Sequence, residues 1–389
     1  VSKITLFTLN SRRYKKFIET HTASPIRVGN QIDILTNGDE IFPSMLDAIN
    51  AATETIAFLT YVYWRGDIAT LFAQTLARKA REGVNVSVLL DAFGSSKIDA
   101  ALIAHMQDAS VQVLWFRPLR WYTLHKINNR THRKILVVDG VVGFIGGVGI
   151  AEEWTGDAQS PRHWRDTHFK ITGPAVQDLV MSFNDNWQEA GGTPHTPGIA
   201  TPTPSRGITL QITSSKGGAA RTDGEALFYS AIRAAQTHIR ITTAYFAPSH
   251  TFREALLRAR QAGVDVTILT NGSHTNHALV RKAGHRHYAQ LLKAGIRIYE
   301  YEQTLLHAKV MTIDSSWAIV GSINFDDRSF VLNDEINMSL TDPVHIRALD
   351  DQLSIDLQHS KEIVLHRWLV RPLIAKISET IGDLLRKQL

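Results

Sequence analysis

The phrase His-x-Lys-x4-Asp is spelled twice in this chain, as His132-Arg133-Lys134 with Asp139 and as His307-Ala308-Lys309 with Asp314. Both copies continue through an apolar stretch to a small-residue turn, Gly146-Gly147 in one and Gly321-Ser322 in the other. The surroundings repeat as well. A strand-like run over 55–63 leads to a helical pattern over 69–82, then to Gly83 and a second strand over 84–90. The same order recurs as 239–246, 251–262, Gly263 and 264–270. Strand, helix and strand at these lengths imply parallel βαβ units and an α/β architecture, and each glycine is placed to end its helix. A Pro-, Thr- and Gly-rich stretch, Ala190 to Arg206, separates the copies. Gene duplication accounts for this spacing. Two pseudo-equivalent halves are expected, over 1–195 and 205–389, with the His-bearing strands meeting where they pack.

With 389 residues, 44% of them hydrophobic and 20% charged, the chain can fill two ordinary cores and is not a disordered sequence. A formal charge of +5 and a pI near 9.3 favour anionic partners (phosphates, nucleic acid or acidic lipid surfaces) without choosing among them. There is no cysteine, which excludes disulfides and Cys-based zinc sites. No stretch reaches the ~18 uncharged apolar residues of a membrane span. The nearest, Ile135 to Ala151, is interrupted by Asp139 and five glycines. Val1 to Asn10 has no signal-peptide pattern, so a protein that rests on a membrane rather than crossing it is the expectation.

Residues i and i+2 of a strand point to one face. Each motif therefore presents a histidine and a lysine side by side, on a strand whose following residues, Ile135 to Val138 or Val310 to Ile313, are apolar. Any one of the seventeen histidines alone would read as a surface or structural residue; the doubled pair changes that. Two histidines and two lysines around one phosphate suit phosphodiester chemistry. One imidazole attacks phosphorus to give a phosphohistidine, while the other protonates the leaving alcohol and later deprotonates the incoming one. The lysines offset charge on the nonbridging oxygens. Such a centre needs no metal and no cofactor.

The pair of motifs resembles the signature of the phospholipase D superfamily, over roughly residues 34–340. The resemblance implies two pseudo-symmetric α/β sandwich domains sharing one active site at their interface, with His132, Lys134, His307 and Lys309 catalytic. It also implies an acid downstream of each motif to fix a histidine tautomer. Asp166, in Trp164-Arg165-Asp166-Thr167-His168, and Glu335, in Asn333-Asp334-Glu335, stand at those places. The family's turn and asparagine are kept as Gly321-Ser322-Ile323-Asn324, so Ser322 and Asn324 are expected to touch the phosphate, with Gly147 as the first-half counterpart. Gly149 stands where the other asparagine would be, which makes the halves inequivalent. By the same resemblance Asp139 and Asp314 are structural, bonding nearby backbone or basic groups.

Asn129 to Lys134, Trp164 to His168, Asn324 to Phe330 and Leu332 to Glu335 look like bacterial cardiolipin synthases. Those enzymes move a phosphatidyl group onto the glycerol headgroup of phosphatidylglycerol. The membrane-spanning pair that many of them carry is not found here, which resembles the shorter, peripheral branch. The implied partners are phosphatidylglycerol, cardiolipin and the membrane surface, on the cytoplasmic side of a bacterial inner membrane, rather than nucleic acid. Leu365 to Leu389 reads as an amphipathic helix with Trp368 placed for an interface, or as one that packs on the protein's own core. Arg117 to Arg130 is placed to rim the catalytic mouth, and His274 to Tyr288 offers a cationic surface to the same substrate. A phospholipase D that hands the phosphatidyl group to water would use the same residues and is the nearest rival. A nuclease would favour a broader basic groove, and a silent binding module has no need of all four motif residues. Both motifs lie in one chain, so a monomer is expected.

Overall fold

The computed structural model describes residues 8–118, 128–196, 207–218, 222–372 and 379–380. The first half runs α1 Arg12–Thr22, β1 Ile26–Thr36, α2 Asn37–Ala51, β2 Thr55–Thr60, α3 Asp67–Arg81, β3 Asn85–Asp91, α4 Ala100–Asp108, β4 Gln112–Phe116, β5 Ile135–Val138, β6 Val142–Gly146, β7 Thr167–Thr172 and α5 Val176–Glu189. The second runs β8 Ile208–Ser215, α6 Asp223–Ala234, β9 His238–Thr243, β10 Phe246–Ala247, α7 His250–Gln261, β11 Asp265–Asn271, α8 Ala278–Lys293, β12 Arg297–Tyr301, β13 Lys309–Ile313, β14 Trp317–Gly321, β15 Phe325–Asp326, β16 Glu335–Leu340, α9 Pro343–Gln358, β17 Ser360–Glu362 and α10 Leu365–Leu369.

The repeated βαβ units are present, with β2 parallel to β3 and β9 parallel to β11. Gly83 and Gly263 follow the helices with φ of 97° and 94°, the left-handed region that stops a helix cheaply only at glycine. The motif strands β5 and β13 run antiparallel to β2 and β9 and fold back as hairpins with β6 and β14.

Among the described residues, fifteen of the strands from both halves join into one sheet, in the order β17-β12-β11-β9-β13-β14-β16-β8-β1-β7-β6-β5-β2-β3-β4, while β10 pairs with β15 apart from it. Alternation along the strands feeds separate cores. Ile56, Phe58, Leu136 and Val138 face an outer core under α2, α3 and α4. Ala57, Leu59, Ile135 and Val137 face a central core shared with Val320, Ile336 and Met338 of the other half and with α5 and α9. The second outer core lies under α6, α7 and α8. Tyr14 and Ile18 of α1 belong to that core, with Tyr14 edge-on to Trp317 at 5.1 Å, so the first helix of the chain rests on the second half. Among the described residues no helix is long and apolar enough to cross a membrane.

Candidate active site

The antiparallel pairing of β5 with β2 sets Leu59 opposite Ile135, so His132 and Lys134 emerge where β2 and β3 end. Lys309 lies opposite Thr243, the last residue of β9, and puts the second motif at the matching edge. Two equivalent backbone pairs stitch the halves there. His132 N–H donates to Asp334 O and Asp334 N–H to Arg130 O, both at 2.8 Å. Arg165 N–H donates to Leu305 O at 2.9 Å, and His307 N–H to Arg165 O at 2.6 Å. Each motif histidine is therefore laid beside the segment that carries the other half's acid.

The side chains follow. His132 Nδ1 lies 3.0 Å from both oxygens of Glu335, and His307 Nδ1 lies 2.8 Å from Asp166 Oδ2. A carboxylate at Nδ1 takes the ring proton there and leaves the Nε2 lone pair free. Asp166 also receives Trp154 Nε1–H at 2.9 Å and the Thr167 N–H at 2.8 Å. Lys134 donates to its own motif's His132 O at 2.8 Å, and Lys309 donates likewise to His307 O. The side chains of His132, Lys134, Asp166, His307, Lys309 and Glu335 are all buried.

Burial pushes His132 down to about 4 against the pull of Glu335, and His307 down to about 3, with Lys309 adding to the effect. Lys134 falls to about 7 through burial, with Lys309 repelling it, and Lys309 falls to about 8 through burial. Burial would raise Asp166, but His307 and Lys309 outweigh it and hold the carboxyl well below its usual range. Both lysines act on His132, and both act on His307, so the two motifs form one electrostatic unit. Two neutral imidazoles with free Nε2 atoms beside two cations can bind and attack a phosphodiester. Among the described residues no group of three or more His, Asp or Glu is placed to hold a metal ion.

The sequence profile of the family described as cardiolipin synthase, PLD-like domain, matches residues 45–187 and 228–357, one stretch per half. The chain belongs to the phospholipase D superfamily. Among similar sequences, a cardiolipin synthase of Alkalihalophilus pseudofirmus is 33% identical over 93% of this chain and 73% of its own length. A cardiolipin synthase 2 of Bacillus anthracis is 36% identical over 90% of this chain and 69% of its own. Among solved structures, the phosphatidylserine synthase of Haemophilus influenzae matches 96% of this chain and all of its own, with a TM-score of 0.71 at 14% identity, a likeness of fold. Likeness to cardiolipin synthases over most of the chain, with both motifs intact, marks it as an enzyme, a phosphatidyltransferase of this superfamily.

Two of the three turn residues, Ser322 and Gly147, lie against the orienting carboxylates. Ser322 Oγ is fully buried and donates to the Glu335 carboxylate. A Cβ on Gly147 would sit 2.3 Å from Asp166 Oδ1, so the glycine makes room for that carboxylate. Asn324 is buried with its Oδ1 unpartnered. Gly149 has no space for an asparagine, because a Cβ there would meet Val62 Cβ at 2.7 Å. Asp139 accepts the N–H groups of Thr53, Glu54 and Thr55, and Asp314 those of Gln236, Thr237 and His238. Each aspartate caps the turn that leads into β2 or β9.

Three surface expectations change. Arg130 is buried on Asp91 at 3.1 Å, and Arg117 pairs with Glu189 at 2.7 Å, so neither is a free cation at the rim. Trp121 and Tyr122 lie outside the described residues. Arg281 and His285 both turn inward to Glu300 at 2.6 Å, which leaves Lys282 and Arg286 as the exposed Lys and Arg side chains of the stretch His274 to Tyr288. Trp368 stacks on Tyr288 at 5.0 Å and is buried, so this part of the C-terminal segment packs on the protein itself; residues 373–378 and 381–389 lie outside the described set. Sequence reasoning gave no role to Tyr61, edge-on to the His132 ring at 5.1 Å, or to Trp154, edge-on to His307 at 5.1 Å. Trp154 breaks the repeat, since its register partner is Ser329, and no local pattern marks it.

Proposed function

We propose that the chain transfers a phosphatidyl group from one phospholipid to the glycerol headgroup of phosphatidylglycerol, through a phosphohistidine. The observation that carries this reading is the crossed pair of histidines, each fixed at Nδ1 by the other half's carboxylate, with two lysines beside them. In the first step one Nε2 bonds to phosphorus, the bond to the departing headgroup oxygen breaks, and the other histidine gives that oxygen its proton. In the second step the acceptor hydroxyl yields its proton to that same histidine, its oxygen bonds to phosphorus, and the N–P bond breaks. The free site holds both imidazoles neutral. The anionic phosphodiester brings the charge that favours an imidazolium once it is bound. The same reading takes 1–195 and 205–389 as the two domains, one chain as the catalytic unit, and the cytoplasmic surface of a bacterial inner membrane as the place of work. Resemblance to synthases from bacteria and a lipid substrate support that placement.

Purified protein with vesicles of phosphatidylglycerol and phosphatidylethanolamine, analysed by mass spectrometry beside His132→Ala, tests the assignment. Cardiolipin is expected from the wild type and not from the variant. Phosphatidic acid alone would transfer the assignment to a hydrolase. The pH profile supplies a second check. Lysine carries its charge only below its pKa, so kcat/KM for the donor is expected to fall above pH 7 to 8, where Lys134 and Lys309 lose their protons. It should also fall towards pH 3 to 4, where whichever of His132 and His307 is the nucleophile gains one. An alkaline limb near pH 10, the ordinary lysine value, would refute the depressed lysines.

A further inference from the structure

The two halves line their shared centre with unlike residues. The register that carries His132 onto His307 carries Gly149, Ala151 and Trp154 onto Asn324, Asp326 and Ser329. The backbone keeps that register, since Tyr63 bridges Ile150 as Phe246 pairs with Phe325. On the His307 side the ring meets Trp154 at 5.1 Å and Trp164 at 5.7 Å, an aromatic wall. Asp326 stands where the first half has Ala151, so its carboxyl has no acidic counterpart there.

Asp326 is 8% exposed and its Oδ1 accepts the Ser329 N–H at 2.8 Å. No ion pair is formed by it among the described residues. Its charge is felt by Lys309 and by Tyr245, and it feels that of Glu335, the partner of His132. Burial raises its carboxyl to about 7. Two residues before it, Asn324 is 97% buried by area and its Oδ1 has no partner. A buried carboxyl with one backbone donor and no cation, next to a centre that must take a phosphate anion, costs binding energy unless it meets a further donor. An alcohol supplies such a donor, and a polyol supplies several.

We propose that Asp326, with Asn324 beside it, forms a hydroxyl-binding subsite next to the shared centre that holds the glycerol moiety of the acceptor headgroup. This rests on the transferase reading above and names what selects the acceptor. A site built to hydrogen-bond a hydroxyl rejects an analogue that lacks it. One charge-assisted bond of this kind is worth about tenfold or more in selectivity.

The test uses the full chain, phosphatidylglycerol vesicles as donor, and deuterated glycerol and 1-propanol at equal concentration as competing acceptors. The ratio of deuterated phosphatidylglycerol to phosphatidylpropanol is read by mass spectrometry. The wild type is expected to favour glycerol by about tenfold or more, Asp326→Ala to fall to near parity, and the isosteric Asp326→Asn to lie between them. A ratio does not depend on how much enzyme is folded. An unchanged preference in Asp326→Ala overturns the subsite, as does a wild type without preference. Loss of all transfer in both variants also overturns it, since Asp326 would then serve the chemistry or the fold. A wild type that yields phosphatidic acid and no transfer product to either alcohol strikes the transferase reading instead.

Discussion

Glu335→Gln is expected to fail in the manner of His132→Ala, and Asp166→Asn in the manner of His307→Ala, although each pairing joins opposite halves of the chain. The Nδ1 contacts of 3.0 Å and 2.8 Å set that pairing. Loss of a carboxylate that fixes a catalytic tautomer costs on the order of 10³ to 10⁴ in kcat. A donor with a good leaving group separates the two histidine roles. Phosphatidyl-p-nitrophenol departs without a proton, so the variant lacking the general acid recovers its first step and the variant lacking the nucleophile does not. Whichever histidine variant is rescued, the carboxylate variant from the other half should be rescued with it. Rescue that instead joins His132 to Asp166, or His307 to Glu335, would refute the crossed arrangement.

Arg133→Ala should produce the largest loss of stability of any motif substitution. Arg133 is fully buried and donates to Ser182 O at 2.7 Å, Ser215 O at 3.0 Å and Glu335 O at 3.2 Å. Those carbonyls belong to α5 of the first half and to β8 and β16 of the second, so one guanidinium ties three elements across the interface. Its nearest carboxylate, Asp185, is 3.7 Å away, and burial depresses the guanidinium. Truncation opens a cavity and strips donors from buried carbonyls, which together cost about 3–5 kcal/mol. A lowered urea midpoint at an unchanged slope is the expected result. Ala308 holds the same place in the second motif. A variant as stable as the wild type would show that neighbouring groups already satisfy those carbonyls.

The features legible in the sequence are those that depend on local order. The βαβ pattern over 55–90 became β2, α3 and β3, and that over 239–270 became β9, α7 and β11, because period and helix-stop signals act over ten residues or so. The recurrence of His-x-Lys-x4-Asp was enough to name the superfamily. Less was legible wherever the partner is far along the chain. Nothing near His132 points to Glu335, 203 residues away, and nothing in α1 shows that it packs beyond the linker. Ser322 and Gly147 occupy matching turns, yet one donates to a carboxylate and the other clears space for one. Trp368 carries the composition of a membrane anchor, and only packing against Tyr288 shows that its ring is already occupied.

The crossed carboxylates also make the polypeptide a coincidence device. Severed within its Pro- and Thr-rich linker, it would give two fragments, each with a histidine whose orienting acid resides on the other. Neither could turn over a phosphodiester alone, and turnover would report their reunion. The join between β1 and β8 runs through the middle of the common sheet, so each fragment would expose a raw strand edge. Such a split pair would sense proximity only if fused partners restored that seam before the edges found each other's copies.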